Sequence, residues 1–183
     1  MSTYSTLELD LLISMDEIQD KIAKTAVQLE ADYKGQEIVI VMIMKGAICL
    51  VADLIRAISL PCTVEYIQAS SYGMKGECRG NLEIKGMEAL NLESKNVLIV
   101  DDIFDSGNTL FHVYQALAKK KTKSLKSLVL LSKNVSNLKY QPDYLLFSIE
   151  NRFVVGYGLD YKEHYRGLKG IYLLKDLQAI PDF

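Results

Sequence analysis

At 183 residues, with 49% hydrophobic and 24% charged side chains, the chain suits one globular domain spanning residues 1–183, able to bury a core without disulfide or metal staples. A formal net charge of −2 gives no global reason to expect nucleic acid or an anionic membrane as a partner. Cys49, Cys62 and Cys78 are an odd set without metal-ligand spacing, and no apolar run approaches the roughly eighteen residues of a membrane span, so a soluble cytoplasmic protein with free thiols is expected.

The N-terminal residues Glu8, Asp10, Asp16 and Glu17 do not give the basic-then-apolar pattern of a secretory signal. The first strong element is a helix from about Met15. Ser14 followed by Glu17 is a capping box, and Ile18, Ile22, Ala26 and Leu29 mark one face. Residues 38–43, IVIVMI, are too continuously apolar for a one-sided strand and predict one buried on both faces, as in a parallel sheet. Lys45-Gly46 interrupts this run. A helix follows with Ala47, Val51, Leu54, Ile55 and Ile58 on one face, and residues 63–67 read as another strand. Residues 69–80 hold Gly73, Gly76 and Gly80 and little that could anchor them in a core, so a loop of functional, lid-like type is expected there.

A second buried strand is predicted over 97–100. After a turn, Leu110, Val113, Tyr114 and Leu117 give the i, i+3, i+4, i+7 spacing of an amphipathic helix. Lys119, Lys120 and Lys121 sit at its C-terminal end, where the helix dipole favours cations. Strands follow over 128–131, 144–147, 154–157 and 171–174. Alternation of strand and helix, then a strand-rich tail, argues an α/β fold with a mainly parallel sheet.

The stretch 97–110, VLIVDDIFDSGNTL, carries the chemistry. A buried strand runs into two adjacent carboxylates, then a polar turn, then a helix. Ligands of open α/β sheets sit beyond the carboxyl ends of the strands. The turn from Asp105 through Ser106, Gly107, Asn108 and Thr109 opens the helix. Its free backbone N–H groups suit an anion, Gly107 allows close approach, and Ser106 and Thr109 add hydroxyl donors. Asp101 and Asp102 would repel that anion unaided; ribose hydroxyls and a hard cation such as Mg2+ both suit them. A sugar phosphate with free hydroxyls satisfies both halves. The bland reading is an ordinary βα turn with Asp and Ser as helix caps.

At these residues the chain resembles the type I phosphoribosyltransferases, in their hypoxanthine-guanine branch. Met44-Lys45-Gly46 is similar to that family's pyrophosphate-binding loop, and Ser70-Ser71-Tyr72-Gly73 to the start of its flexible catalytic loop. Leu131-Ser132-Lys133 resembles its base-recognition segment. Residues 153–161, FVVGYGLDY, with Arg166 shortly after, resemble its purine-stacking and metal segment. One departure is Asp101, where the branch usually has Glu. The resemblance implies a Rossmann-like, mainly parallel sheet flanked by helices with a small hood. It also implies transfer of the phosphoribosyl group from phosphoribosyl pyrophosphate to hypoxanthine or guanine, with Mg2+, in a homo-dimer or homo-tetramer.

By the same resemblance Asp105 is the catalytic carboxylate near purine N7. Asp101, Asp102 and the turn 105–109 hold the ribose and 5-phosphate. Lys45, Gly46, Ser71, Tyr72 and Arg166 face the pyrophosphate and lid. Lys133, Phe153 and the Val154 backbone take the purine, with the Lys133 ammonium selecting a 6-oxo group. Asp160, Asp101 and Asp102 are the metal candidates, and the Met44–Lys45 peptide is expected to be cis. Against these stand a solvated lysine at 133, a core aromatic at 153 and a plain Asp160–Arg166 surface pair. A phosphoribosyl pyrophosphate-sensing, RNA-binding regulator of the same fold is the alternative function. A basic face would favour it, whereas the acidic balance and the set Lys133, Phe153 and Asp160 favour the enzyme.

Overall fold

The computed structural model describes residues 9–71, 82–133 and 140–174, without the side chains of 70 and 71. Strand β1 (Leu9–Ile13) leads into helix α1 (Met15–Asp32). The capping box is formed: the Ser14 backbone N–H donates to Glu17 Oε2 at 2.8 Å, and the Glu17 N–H to Ser14 Oγ at 3.3 Å. Ile18, Ile22, Ala26 and Leu29 are buried, as their spacing predicts.

Strand β2 (Ile38–Met44) and helix α2 (Ile48–Ala57) follow. The buried stripe of α2 is Leu50, Val51 and Leu54. Ile55, expected on that stripe, is 39% exposed, and Ile58 is buried only after the helix has ended. At about 100° per residue, Ile55 lies on the far edge of a face centred on Leu50 and Leu54.

Strand β3 (Cys62–Ser71) is longer than the predicted 63–67. The expected loop therefore does not begin at Ala69. Gln68 to Ser71 pair antiparallel with β4 (Leu82–Lys85), from Gln68 opposite Lys85 to Ser71 opposite Leu82. Leu82-Glu83-Ile84-Lys85 has the two-residue alternation of an edge strand, and its pairing satisfies the β3 backbone. The rest of the expected loop, 72–81, lies outside the described residues.

Strand β5 (Asn96–Phe104), helix α3 (Asn108–Ala118), and strands β6 (Ser124–Lys133), β7 (Tyr144–Ile149), β8 (Val154–Val155) and β9 (Ile171–Leu174) complete the described chain. One sheet has the order β4-β3-β2-β5-β6-β7, parallel throughout except for β4 at the edge. Side chains alternate across it. Ile38, Ile40, Leu98 and Val100 pack with α1 and α2, while Val39, Val41, Val97 and Ile99 pack with Leu110, Val113 and Leu117 of α3. Both faces being covered explains the unbroken apolar runs. A second, antiparallel sheet, β1-β9-β8, forms a hood. Among the described residues no helix is long and apolar enough to cross a membrane.

Candidate active site

Strands β2 and β5 are neighbours, yet β2 connects through α2 to β3 on one side and β5 through α3 to β6 on the other. That reversal opens a crevice at their carboxyl ends, the place where open α/β sheets bind ligands. A cleft of about 470 Å³ lies there, lined among others by Lys45, Gly46, Asp101, Asp102, Thr109 and Arg166. A second lobe of about 190 Å³ is lined by Asp105, Lys133, Phe153 and Val154. Asp102, Ile103 and Asp160 line both, so the two lobes adjoin.

The acidic pair lies inside β5 rather than beyond it. The predicted strand end at residue 100 is too early, because β5 continues beside β6, with Asp101 opposite Val129 and Ile103 opposite Leu131. Asp101 is 5% exposed, and one of its oxygens accepts the Asp102 backbone N–H at 3.1 Å. Burial pushes its carboxyl well above the usual carboxylate range, and the neighbouring Asp102 charge pushes further. Burial raises Asp102 as well, opposed by hydrogen bonds from Asp101 and from the Ile103 N–H, and by the Arg166 charge. Gly46 makes room for this pair: a Cβ built on it would lie 1.6 Å from Asp102 Oδ2.

Gly107 is the N-cap of α3, at φ +73°, and has no side chain to offer; Ser106 Oγ accepts the N–H of Asn108, the first helical residue, whereas an Asp105 cap does not form. A Cβ at Gly107 would lie 2.5 Å from the buried Phe104 ring, which closes the position to larger residues. Thr109 lines the larger lobe. Ser106 and Asn108 are exposed beside it, with the Asn108 N–H donating to Ser106 Oγ at 3.4 Å. The Asp105 side chain instead reaches Lys133, with Oδ2 3.2 Å from Nζ. Lys133 is 12% exposed at its side chain, so it is not a solvated lysine.

Two segments meet at the cationic wall, the end of β2 and the connection from β8 to β9. The Met44–Lys45 peptide is cis. Lys45 Nζ lies 2.9 Å from Glu163 Oε2, and Arg166 Nη2 lies 3.1 Å from the same oxygen. Arg166 also pairs with Asp160 at 2.9 Å and donates from Nη1 to the Gly158 carbonyl at 2.8 Å, while its buried Nε has no hydrogen-bond partner. The Asp160–Arg166 pair therefore exists, but it lines the cleft instead of standing apart on the surface. Hydrogen bonds from Lys45 and then Arg166 hold the Glu163 carboxyl below its usual range.

Phe153 is 39% exposed, with its ring 5.5 Å from that of Tyr161 at 86°, so it is not a core aromatic. Val154 is buried in β8. Sequence reasoning missed Gln68 and Lys85 in the larger lobe, Arg152 and Leu159 in the smaller, and Glu163 on the cationic wall. An acid three residues before Arg166 was the available signal for Glu163. Ser71 ends β3, and Tyr72 lies outside the described residues.

A doubly wound sheet with a buried and a half-buried carboxylate on one side of its switch-point crevice and two cations on the other fits a class: proteins that grip a polyanion bearing hydroxyls. Comparison with known proteins narrows it. Residues 14–162 match the phosphoribosyl transferase domain. The hypoxanthine-guanine phosphoribosyltransferase of Aquifex aeolicus is 36% identical over 171 residues, 92% of this chain and 96% of that protein. A Staphylococcus aureus hypoxanthine phosphoribosyltransferase structure superposes with a TM-score of 0.85 at 34% identity, covering 95% of this chain and 97% of that one. The chain therefore belongs to the phosphoribosyltransferase family, in its hypoxanthine-guanine branch. The bifunctional protein TilS/HprT of Listeria innocua is 40% identical over 168 residues, 90% of this chain, and this chain spans only 26% of that relative's length.

Proposed function

We propose that this chain transfers the 5-phosphoribosyl group of phosphoribosyl pyrophosphate to hypoxanthine or guanine, giving IMP or GMP and pyrophosphate in purine salvage, and that residues 1–183 act as one domain. The observation that carries this reading is the joining of two unlike lobes at Asp102 and Asp160. One has carboxylates for hydroxyls and cations for phosphates. The other has an aromatic face and a largely enclosed lysine, the complement of a flat base with a carbonyl.

In this reading the ribose hydroxyls donate to Asp101 and Asp102, and the amides opening α3 with Thr109 take the 5-phosphate. Lys45 and Arg166 take the pyrophosphate. The purine stacks on Phe153, bonds in its plane to the Val154 backbone and accepts at O6 from Lys133. As N9 bonds to the anomeric carbon, the bond from that carbon to pyrophosphate breaks and its electron pair leaves with pyrophosphate. Asp105 takes the proton lost from N7. Its carboxylate also stabilises the positive charge developing on the sugar ring.

Among the described residues no three His, Cys, Asp or Glu side chains are grouped to hold a metal ion. Asp160, one of the three expected metal carboxylates, is engaged by Arg166 and by the Glu163 N–H at 2.9 Å. Two adjacent hard carboxylates at Asp101 and Asp102 still fit Mg2+, which commonly takes one or two protein carboxylates and completes its shell from substrate oxygens and water. When bound there, the ion would neutralise charge on the pyrophosphate. Val64 and Tyr66 register with Ile40 and Met42 and are 43% and 59% exposed on the α2 side of the sheet, which supports a homo-dimer or homo-tetramer.

The test is release of pyrophosphate from phosphoribosyl pyrophosphate with each purine base in turn. Hypoxanthine and guanine are expected to turn over. Adenine is not, because its 6-amino group would face the Lys133 donor. Adenine turnover within about tenfold of hypoxanthine would reject the base assignment, since donor mismatches at such sites can discriminate by about 10⁴–10⁵. No release with any base would reject the reading.

A further inference from the structure

Resting on that reading, we propose that Glu163 is a built-in surrogate for the pyrophosphate: its carboxylate bridges Lys45 and Arg166 in the free protein and competes with the incoming anion for them. One oxygen, Oε2, receives both cations, at 2.9 Å from Lys45 Nζ and 3.1 Å from Arg166 Nη2. Lys45 follows β2 and lies 118 residues before Glu163, so tertiary structure brings this bridge together. All three residues line the larger lobe. Glu163 is held in place by its backbone. Lys162 and Glu163 adopt φ of 47° and 68°, the left-handed region that such residues rarely enter, and the Glu163 N–H is fixed by Asp160 Oδ2.

The bridge is also easy to open. Side chains of Lys45 and Glu163 are 54% and 62% exposed, and Arg166 keeps Asp160 and the Gly158 carbonyl when Glu163 swings out. An anion of higher charge that engages both cations therefore displaces a single carboxylate. When the product anion leaves, the carboxylate returns and opposes rebinding. Glu163 thus sets how tightly pyrophosphate is held.

Isothermal titration calorimetry with Mg2+-pyrophosphate on the full chain tests this, comparing wild type, Glu163→Gln and Glu37→Gln. Glu37 is exposed just before β2, at the amino end of the strand and so opposite the cleft at its carboxyl end, and its replacement removes the same charge without touching the site. Glu163→Gln is expected to bind about 1.5-fold to fivefold more tightly than wild type, the range of an exposed ion pair. Glu37→Gln is expected to match wild type. Equal or weaker binding by Glu163→Gln overturns the surrogate role, weaker binding marking a residue that positions the cations instead. Equal tightening in Glu37→Gln overturns it too, because net charge would then be the cause. If wild type binds no pyrophosphate, the assignment of the cationic wall fails, and the inference falls with it.

Discussion

Replacing Gly46 by alanine should damage function far more than fold. Gly46 does not have a positive φ, so an alanine backbone is acceptable there. Its methyl group would lie 1.6 Å from Asp102 Oδ2 and 2.3 Å from Cγ, whereas a relaxed contact is about 3.5–4.0 Å. The carboxylate must therefore withdraw by about 2 Å, giving up its 2.9 Å bond from the Ile103 N–H. Overpacking of this kind costs about 1–3 kcal/mol. For a chain of this size that lowers Tm by about 2–12 °C. Misplacing a binding group by about 1 Å can cost about 10²-fold, so kcat/KM for phosphoribosyl pyrophosphate should fall by at least about that factor. Differential scanning calorimetry and initial rates read the two effects separately. Adding Asp102→Ala leaves Cβ, 3.1 Å away, as the nearest atom of that side chain, so the double variant should recover Tm but not activity. A Gly46→Ala protein with wild-type Tm and kcat/KM would show that Asp102 is not held against this glycine.

Asp105→Asn should lower kcat by about 10²–10⁴-fold, the usual worth of acid–base assistance, and leave dissociation constants nearly unchanged; near wild-type kcat in single-turnover assays would remove its chemical role. The 3.2 Å pair with Lys133 is lost in that variant, but Asp105 is 59% exposed, so no more than about 1 kcal/mol of stability should go with it. Asp101→Asn should raise Tm at pH 8 and make little difference below the ordinary aspartate range. A carboxyl raised by burial binds its proton more tightly folded than unfolded, so its stabilising contribution is present at low pH and lost as pH rises through the folded pKa. A Tm difference equal at pH 4 and pH 8 would contradict that sign.

Much of the molecule was legible along the chain because its determinants are local. The capping box at Ser14 and Glu17, the stripe Ile18, Ile22, Ala26 and Leu29, and the doubly buried runs of β2 and β5 depend on spacing within a few residues. The turn 105–109 and its glycine were legible for the same reason. β1, β4 and the full lengths of β3, β5 and β6 were not. Their ends are set by a partner strand, and β1 pairs with β9, more than 150 residues later in the chain. The run past Val100 holds two aspartates, which no strand preference favours, yet β6 beside it keeps the backbone extended.

The sequence by itself determined the class of fold and the roster of charged and aromatic groups, since period and residue type are written residue by residue. Only the tertiary structure decided which of those groups meet. Asp105 could have capped a helix or stood alone in solvent, and the closeness of β5 and β6 is what sets it 3.2 Å from Lys133. Asp160 and Arg166 could have been a surface pair, and the fold of the hood turns them into the cleft. In the sequence Glu163 was only an acid three residues before Arg166. Its place between Lys45 and Arg166 depends on a contact across 118 residues, and an ion pair at that separation is fixed by the packing of elements rather than by any local preference.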